Sequence, residues 1–244
     1  MTTASELIDL LEQQADETQR LNLMRFFKTQ KGQYGEGDQF LGLKVPQTRE
    51  IVKAARGDIP LSEIEKLLYS KWHEARLCGF LLLVEEMKKS LPKKTTNPAE
   101  RRDEIAGFYL RHAEQANNWD LVDLSCRDII GEWILHSEGN ERILDTLADS
   151  DNLWKQRIAV VATWPLIKQR RFDEIFHIST KLLEHPHDLI HKAIGWMLRE
   201  VGKVDSDSLR HYLATYYEKI PRTSLRYAIE RFSASERQYW LKRK

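Results

Sequence analysis

The sequence predicts an all-α protein, a right-handed solenoid of antiparallel helix pairs with no sheet. Three observations predict it. Strand patterns are nearly absent along the 244 residues. The 11 glycines and 7 prolines fall where helices should start or stop. Short amphipathic runs follow one another through short turns, so each helix pair needs neighbours to cover its apolar face.

Taken in order, the elements begin with Thr3 and Glu6, a capping-box spacing ahead of "LIDLLEQQ". Pro46, Pro60, Pro98 and Pro221 each stand near the start of an amphipathic run, where a missing N–H does no harm. About thirteen helical segments are expected. Two connections stand out, the glycine-bearing "QKGQYGEGDQF" (30–40) and the basic "SLPKKTTNPAE" (90–100). The first lacks the Gly-Lys-Ser/Thr of a phosphate-binding loop. It is expected to be an ordered connection in which Gly35 and Gly37 adopt unusual backbone angles. One domain is expected to span residues 1–244.

The segments "WDLVDLSCRDII", "WKQRIAVVATWP" and "LIHKAIGWMLRE" align at a spacing of 35 residues, which superposes Trp119, Trp154 and Leu189. Ile190, Ile194, Met197 and Val201 mark an apolar stripe on the third. In this register Arg157 and Lys192 fall on position 122, and Trp196 falls on 126. With Trp119 and Asp123 they occupy 119, 122, 123 and 126 of a reference helix, a single face away from the apolar stripe. Trp119, Asp123, Arg157, Lys192 and Trp196 are therefore expected to line one surface. Trp154 and Trp164 are assigned to packing.

Composition narrows the function. With 31% charged and 41% hydrophobic residues, the chain reads as an ordinary helix-rich globular protein. Its net charge of +1 gives no global field for a polyanion, so nucleic-acid binding would need local patches. Small basic clusters occur at Lys88, Lys89, Lys93 and Lys94; at Arg101 and Arg102; at Lys168, Arg170 and Arg171; and at Lys242, Arg243 and Lys244. Clusters of this size are more often solvated surface. Cys78 and Cys126 lie in apolar contexts and read as buried reduced thiols. No signal pattern and no run near the ~18 apolar residues of a membrane span is present, so a cytoplasmic location is expected. His185, His187 and His191 have a spacing that could hold a metal but read better as a loop entering a helix. "HEAR" (73–76) lacks the second histidine of a zinc-protease helix.

The stretches "FLGLKVPQTRE" (40–50), "WDLVD" (119–123), "DNLWKQRIA" (151–159) and "HKAIGWMLRE" (191–200) together resemble the HEAT-like-repeat alkylpurine DNA glycosylases of the AlkD type. They occur in the family's order across nearly the whole chain. The resemblance implies that Asp123 is the catalytic carboxylate with Arg157 beside it. It also implies that Trp119 and Trp196 flank the lesion's sugar and backbone. Lys192, Lys44 and Arg49 are candidates for phosphate contacts, and Phe26 and Leu189 for the lining. Phe26, Lys44 and Leu189 depart from the family's pattern, which expects a tyrosine, a glutamine and an aromatic residue.

What the resemblance implies is hydrolysis of the N-glycosidic bond of N3- and N7-alkylated purines in duplex DNA, leaving an abasic site, without a pocket for a flipped base. The residue types suit that chemistry. An alkylated purine is already cationic and leaves readily, so the sugar becomes oxocarbenium-like. A carboxylate stabilises that charge and activates a water, with no metal or cofactor. A tryptophan face attracts the developing cation, and arginine clamps phosphate. The matched motifs position no lysine for Schiff-base chemistry, so a monofunctional enzyme without strand cleavage is expected; a monomer is expected as well. The rival is a non-catalytic helical-repeat protein that binds distorted DNA or a protein partner. A carboxylate facing phosphates would only weaken such a binder.

Overall fold

The computed structural model describes residues 2–55, 59–91 and 97–243. The basic residues Lys93, Lys94 and Lys244 lie outside them, as do residues 92–96 of the 90–100 connection. The chain is all-α. Among the described residues the only β contact is an isolated bridge between Gln39 and Trp72. No helix among the described residues is long and apolar enough to cross a membrane. The span expected as one domain divides by its internal contacts into two compact units, Met1–Ile129 and Ile130–Lys244.

The first unit contains α1 (Ala4–Glu12), α2 (Glu17–Phe26), α3 (Val45–Ala55), α4 (Leu61–Leu68), α5 (His73–Ser90), α6 (Pro98–Arg111) and α7 (Trp119–Asp123). Helix α1 opens with the expected capping box, Thr3 and Glu6 each satisfying the other's backbone N–H. Helix α5 is the centre. It is buried on nearly every side, from His73 through Val84, and packs against α3, α4 and α6. A helix surrounded in this way needs no amphipathic stripe, which is why its sequence shows none.

Because the start of α5 is buried, its polar residues must find partners there. Glu74, 1% exposed, turns its carboxylate onto the preceding loop. It accepts the backbone N–H groups of Leu41 at 2.9 Å, Gly42 at 2.9 Å and Leu43 at 3.1 Å. That loop is the return of the 30–40 connection, and the connection is ordered as expected. Gly37 has φ +82°, but Gly35 does not use a left-handed angle. Gly35 is small for a different reason: a Cβ there would sit 2.3 Å from the Phe27 carbonyl oxygen.

The second unit contains α8 (Glu132–Leu135), α9 (Ile143–Ala148), α10 (Leu153–Val161), α11 (Trp164–Lys168), α12 (Asp173–Lys181), α13 (Asp188–Val204), α14 (Ser206–Tyr216), α15 (Arg222–Ala228) and α16 (Ala234–Lys242). Here α13 is central, packing against α10, α14 and α15. The predicted stripe Ile190, Ile194, Met197 and Val201 is fully buried. Gly195 lies against α15, where an added Cβ would meet the Ser224 carbonyl oxygen and the Tyr227 Cβ, each at 2.6 Å.

The helices are shorter than the sequence suggests. "WDLVDLSCRDII" is not one helix: α7 ends at Asp123, and a π-helical turn occupies Arg127–Gly131. Between them Ser125 Oγ donates back to the Leu121 carbonyl, a bond that competes with continuation of the helix. Position 126 therefore falls outside α7, and the expected face of 119, 122, 123 and 126 is cut after 123. Val122 and Cys126 are buried in the core. Neither Cys78 nor Cys126 is in a disulfide, and both are buried.

Two stability outcomes follow from these packings. Gly195→Ala, which in an open helix would stabilise by ~1 kcal/mol, should destabilise by ~2 kcal/mol in chemical denaturation, because α15 blocks the methyl. Glu74→Gln keeps one acceptor but turns an amide N–H₂ toward backbone donors. It should lose ~3 kcal/mol, read as a lowered melting temperature with the helical circular dichroism of the cold state retained.

Candidate active site

Helix α7 has only five residues, and each points somewhere specific. Asn118 precedes it with extended backbone angles and caps it through Oδ1, which accepts the Trp119 N–H at 2.9 Å. Leu121 and Val122 are fully buried, and Asp120 is 4% exposed. Trp119 and Asp123, four residues apart, are half-buried on the other face.

Trp119 ends a ladder of rings. Its indole stacks on Phe27 at 5.2 Å, Phe27 stacks on Phe40 at 5.1 Å, and Phe40 stacks on the His73 imidazole at 4.4 Å. Phe26 meets Trp119 edge-on at 5.7 Å and is 62% exposed. Beside this ladder opens a cleft of about 430 Å³. Its wall is mainly apolar, from Leu23, Leu43, Val45, Pro46, Leu77 and Leu124 as well as the rings, with Asp123 and Lys44 among its lining.

Beneath the cleft lies a cluster of buried ionisable groups. His73 Nδ1 is 2.7 Å from Asp38 Oδ2, and His73 Nε2 is 2.8 Å from Asp120 Oδ2. Arg76, one turn along α5, pairs with the other Asp38 oxygen and donates to the carbonyl of Ser70 at 2.8 Å. Burial by itself would push the His73 ring down. The Asp120 carboxylate, and then Asp38, more than reverse this and raise it from 6.5 to about 9. Burial would likewise raise Asp38, but its bonds to His73 and Arg76 hold it below the usual carboxylate range. Tyr109 is held well above its ordinary value, first by burial, with the nearby Asp123 charge adding to the effect. Its hydroxyl lies 3.0 Å from Ser125 Oγ.

The remaining predicted residues of the first unit are exposed, Lys44 just before α3 and Arg49 in its middle. The other four belong to the second unit. Arg157 on α10 is only 5% exposed, and its Nη1 donates to the Leu189 carbonyl at 2.6 Å. Leu189, Lys192 and Trp196 are half-buried on α13, where Lys192 pairs with Asp188 at 2.8 Å. Trp154 is buried, in keeping with a packing role. The three histidines are committed to the fold. His185 Nε2 bonds Gln156 at 2.8 Å, His187 Nδ1 accepts the Leu189 N–H at 3.1 Å, and His191 Nε2 donates to the His185 carbonyl at 2.6 Å. Burial, first of all, lowers His185 and His187, which favours their neutral forms.

The caps revise the repeat register. Asn118, Asn152 and His187 each satisfy the first turn of their helix with a side-chain acceptor, at α7, α10 and α13. The step between the first two is therefore 34 residues, and only the second is 35. Trp119 does not correspond to Trp154. Instead Asp123, Arg157 and Lys192 share one place, the fifth residue after each cap. Fixed spacing missed this because one residue was absorbed in the connections, where helical periodicity carries no information.

Several described basic clusters are ion-paired within their own unit: Lys88 with Glu85, Lys89 with Glu86, Arg101 with Glu86 and Glu104, Arg170 with Asp205, and Arg171 with Glu174. Sequence reasoning missed Asp38, His73, Asp120, Phe27 and Phe40. One signal was present: Asp120 follows Trp119 directly and so faces the apolar side of α7, where an acid demands a buried partner.

The model of the DNA alkylation repair enzyme family matches residues 7–232. Among solved structures, a predicted DNA alkylation repair enzyme from Enterococcus faecalis is similar, with a TM-score of 0.71 at 18% identity. The match covers 91% of this chain and 98% of that one, and at this identity it speaks for the fold. No curated protein matches the sequence. Extending over nearly the full length of a chain with this all-α fold, the family match shows that the protein belongs to the DNA alkylation repair enzyme family.

Proposed function

We propose that this chain is a monofunctional DNA glycosylase. It hydrolyses the N-glycosidic bond of cationic N3- and N7-alkylated purines in duplex DNA and leaves an abasic site. One observation carries the reading: Trp119 and Asp123 share the outer face of α7 at the edge of an aromatic cleft, in a member of a DNA alkylation repair family.

Asp123 supplies the negative charge. As the bond to the alkylated base lengthens, positive charge collects on C1′ and the ring oxygen of deoxyribose. A carboxylate there stabilises it and accepts a proton from the attacking water. The base departs as a neutral purine, so no acid has to protonate it. The Trp119 ring face adds an attraction for the cationic sugar of about 0.5–2 kcal/mol. Arg157, whose guanidinium is oriented by the Leu189 carbonyl, is assigned to a backbone phosphate. Lys44, Arg49 and Lys192 are assigned to further phosphates, and Phe26, Leu189 and Trp196 to contacts along the backbone.

The cleft is compatible with excision that does not read the base. A flipped base is recognised through hydrogen bonds to its edge. Much of this wall is ring faces and alkyl groups, while His73 and Glu74 are bonded to other protein groups. Such a wall excludes water from one side of the sugar, which strengthens the carboxylate's field.

Release of a cationic alkylpurine under single-turnover conditions tests the reading. Asp123→Asn keeps the size and removes the charge. It should slow release at least ~100-fold, equivalent to ~3 kcal/mol, with DNA affinity retained. Release untouched by Asp123→Asn would overturn the mechanism. Tight DNA binding with no release by the unaltered chain would favour a non-catalytic binder of distorted DNA. Lys192→Ala should weaken binding about equally on all sequences and lower the slope of log K against log salt by about 1.

A further inference from the structure

Helix α7 is too short to hold itself. Five residues cannot offset the cost of nucleating a helix, so the placement of Trp119 and Asp123 depends on what α7 is tied to. Several of its polar ties converge on one side chain. His73 bonds Asp120, which is a neighbour of Asp123 one turn along α7. The same ring bonds Asp38, whose Oδ2 also lies 3.4 Å from Nδ2 of the α7 cap, Asn118. On its face, the ring begins the stack that runs through Phe40 and Phe27 to Trp119.

The protonation state follows from the partners. An ionised carboxylate only accepts hydrogen bonds, and His73 meets one at each nitrogen, so both nitrogens must carry protons. The charged groups around it then balance: Asp38 and Asp120 against His73 and Arg76. Glu74, the next residue on α5, directs its charge away into the Leu41–Leu43 amides. A neutral imidazole would turn a lone pair toward one of the two carboxylates.

We propose that His73 is a positioning residue for base excision. As an imidazolium clamped between Asp38 and Asp120, it fixes α7 and thereby sets where Asp123 and Trp119 stand against the deoxyribose. The inference rests on the glycosylase reading of Asp123. It assigns to His73 no contact with DNA, so its removal acts on the rate of the chemical step and not on affinity. Folding raises the ring above its ordinary 6.5, so the clamp is fully present below about pH 6.5 and is lost as the pH rises through about 9.

The experiment uses the full chain, with His73→Gln and Asp120→Asn variants, between pH 6 and 9.5. Two readouts are taken: single-turnover release, and the ¹⁵N shifts of the His73 ring with the amide shifts of Trp119–Asp123. Both ring nitrogens should remain protonated to about pH 9, and the α7 amides should move with the ring's titration. His73→Gln should slow release by about 10- to 100-fold with DNA affinity within about twofold, and should abolish the alkaline fall in rate. Asp120→Asn removes one of the two carboxylates and should bring that fall down by about one pH unit, which tests the clamp even if His73→Gln does not fold. A ring that titrates near 6.5, α7 amides indifferent to it, or a His73→Gln enzyme with unaltered rate and pH profile would each overturn the proposal. If the unaltered chain releases no alkylpurine, the glycosylase reading fails and the positioning role falls with it. The NMR titration then still shows whether the clamp itself exists.

Discussion

The constraint on which this site depends is that a five-residue helix must present a carboxylate and an indole without the rigidity of a long helix. The fold meets it by burying charge. Four ionisable groups, Asp38, His73, Arg76 and Asp120, are nearly excluded from water at the start of α5 and sum to neutrality. Buried ions are expensive, and breaking one pair leaves its partner stranded. Such an arrangement adds little to net stability, but it permits very few alternatives. Glu74 extends the same logic to the backbone, its carboxylate taking three consecutive amides from the loop that forms the cleft's edge.

Much of the fold was legible because it is local. The Thr3/Glu6 cap, the proline starts and the Ile190–Val201 stripe depend on residues within a turn or two of each other, where spacing determines contact. Trp119 and Asp123 were legible for the same reason, since i and i+4 share a face. What was hidden is long-range. Asp38 and Asp120 lie 35 and 47 residues from His73, and no periodicity connects them. Gly35 was noticed as a glycine, but whether it served an angle or a close approach depended on where the Phe27 carbonyl lay. The 34-residue step was hidden because caps, and not tryptophans, mark where helices begin.

The charge pattern also bears on how such a chain meets DNA. With a net charge of +1 and many of its basic residues paired to acids in their own unit, it has little long-range attraction for a polyanion. Lys44 and Arg49 are exposed, and in the proposed reading their charges would act at short range. A repair enzyme built in this way would not be detained strongly on undamaged DNA, since the non-specific term is electrostatic.

The anchoring of α7 also has a consequence for how the chain acquires activity. The bonds that fix it span 35 to 80 residues and involve a helix, a loop and a cap that come from separate parts of the first unit. Closing loops of that length precedes the reward of contact, so these bonds form late in folding. A chain can therefore collapse, with α5 formed and its apolar faces covered, before its acidic side chain has a fixed address. Activity would mature after compactness, and a refolding experiment that follows helicity alone would report completion too early.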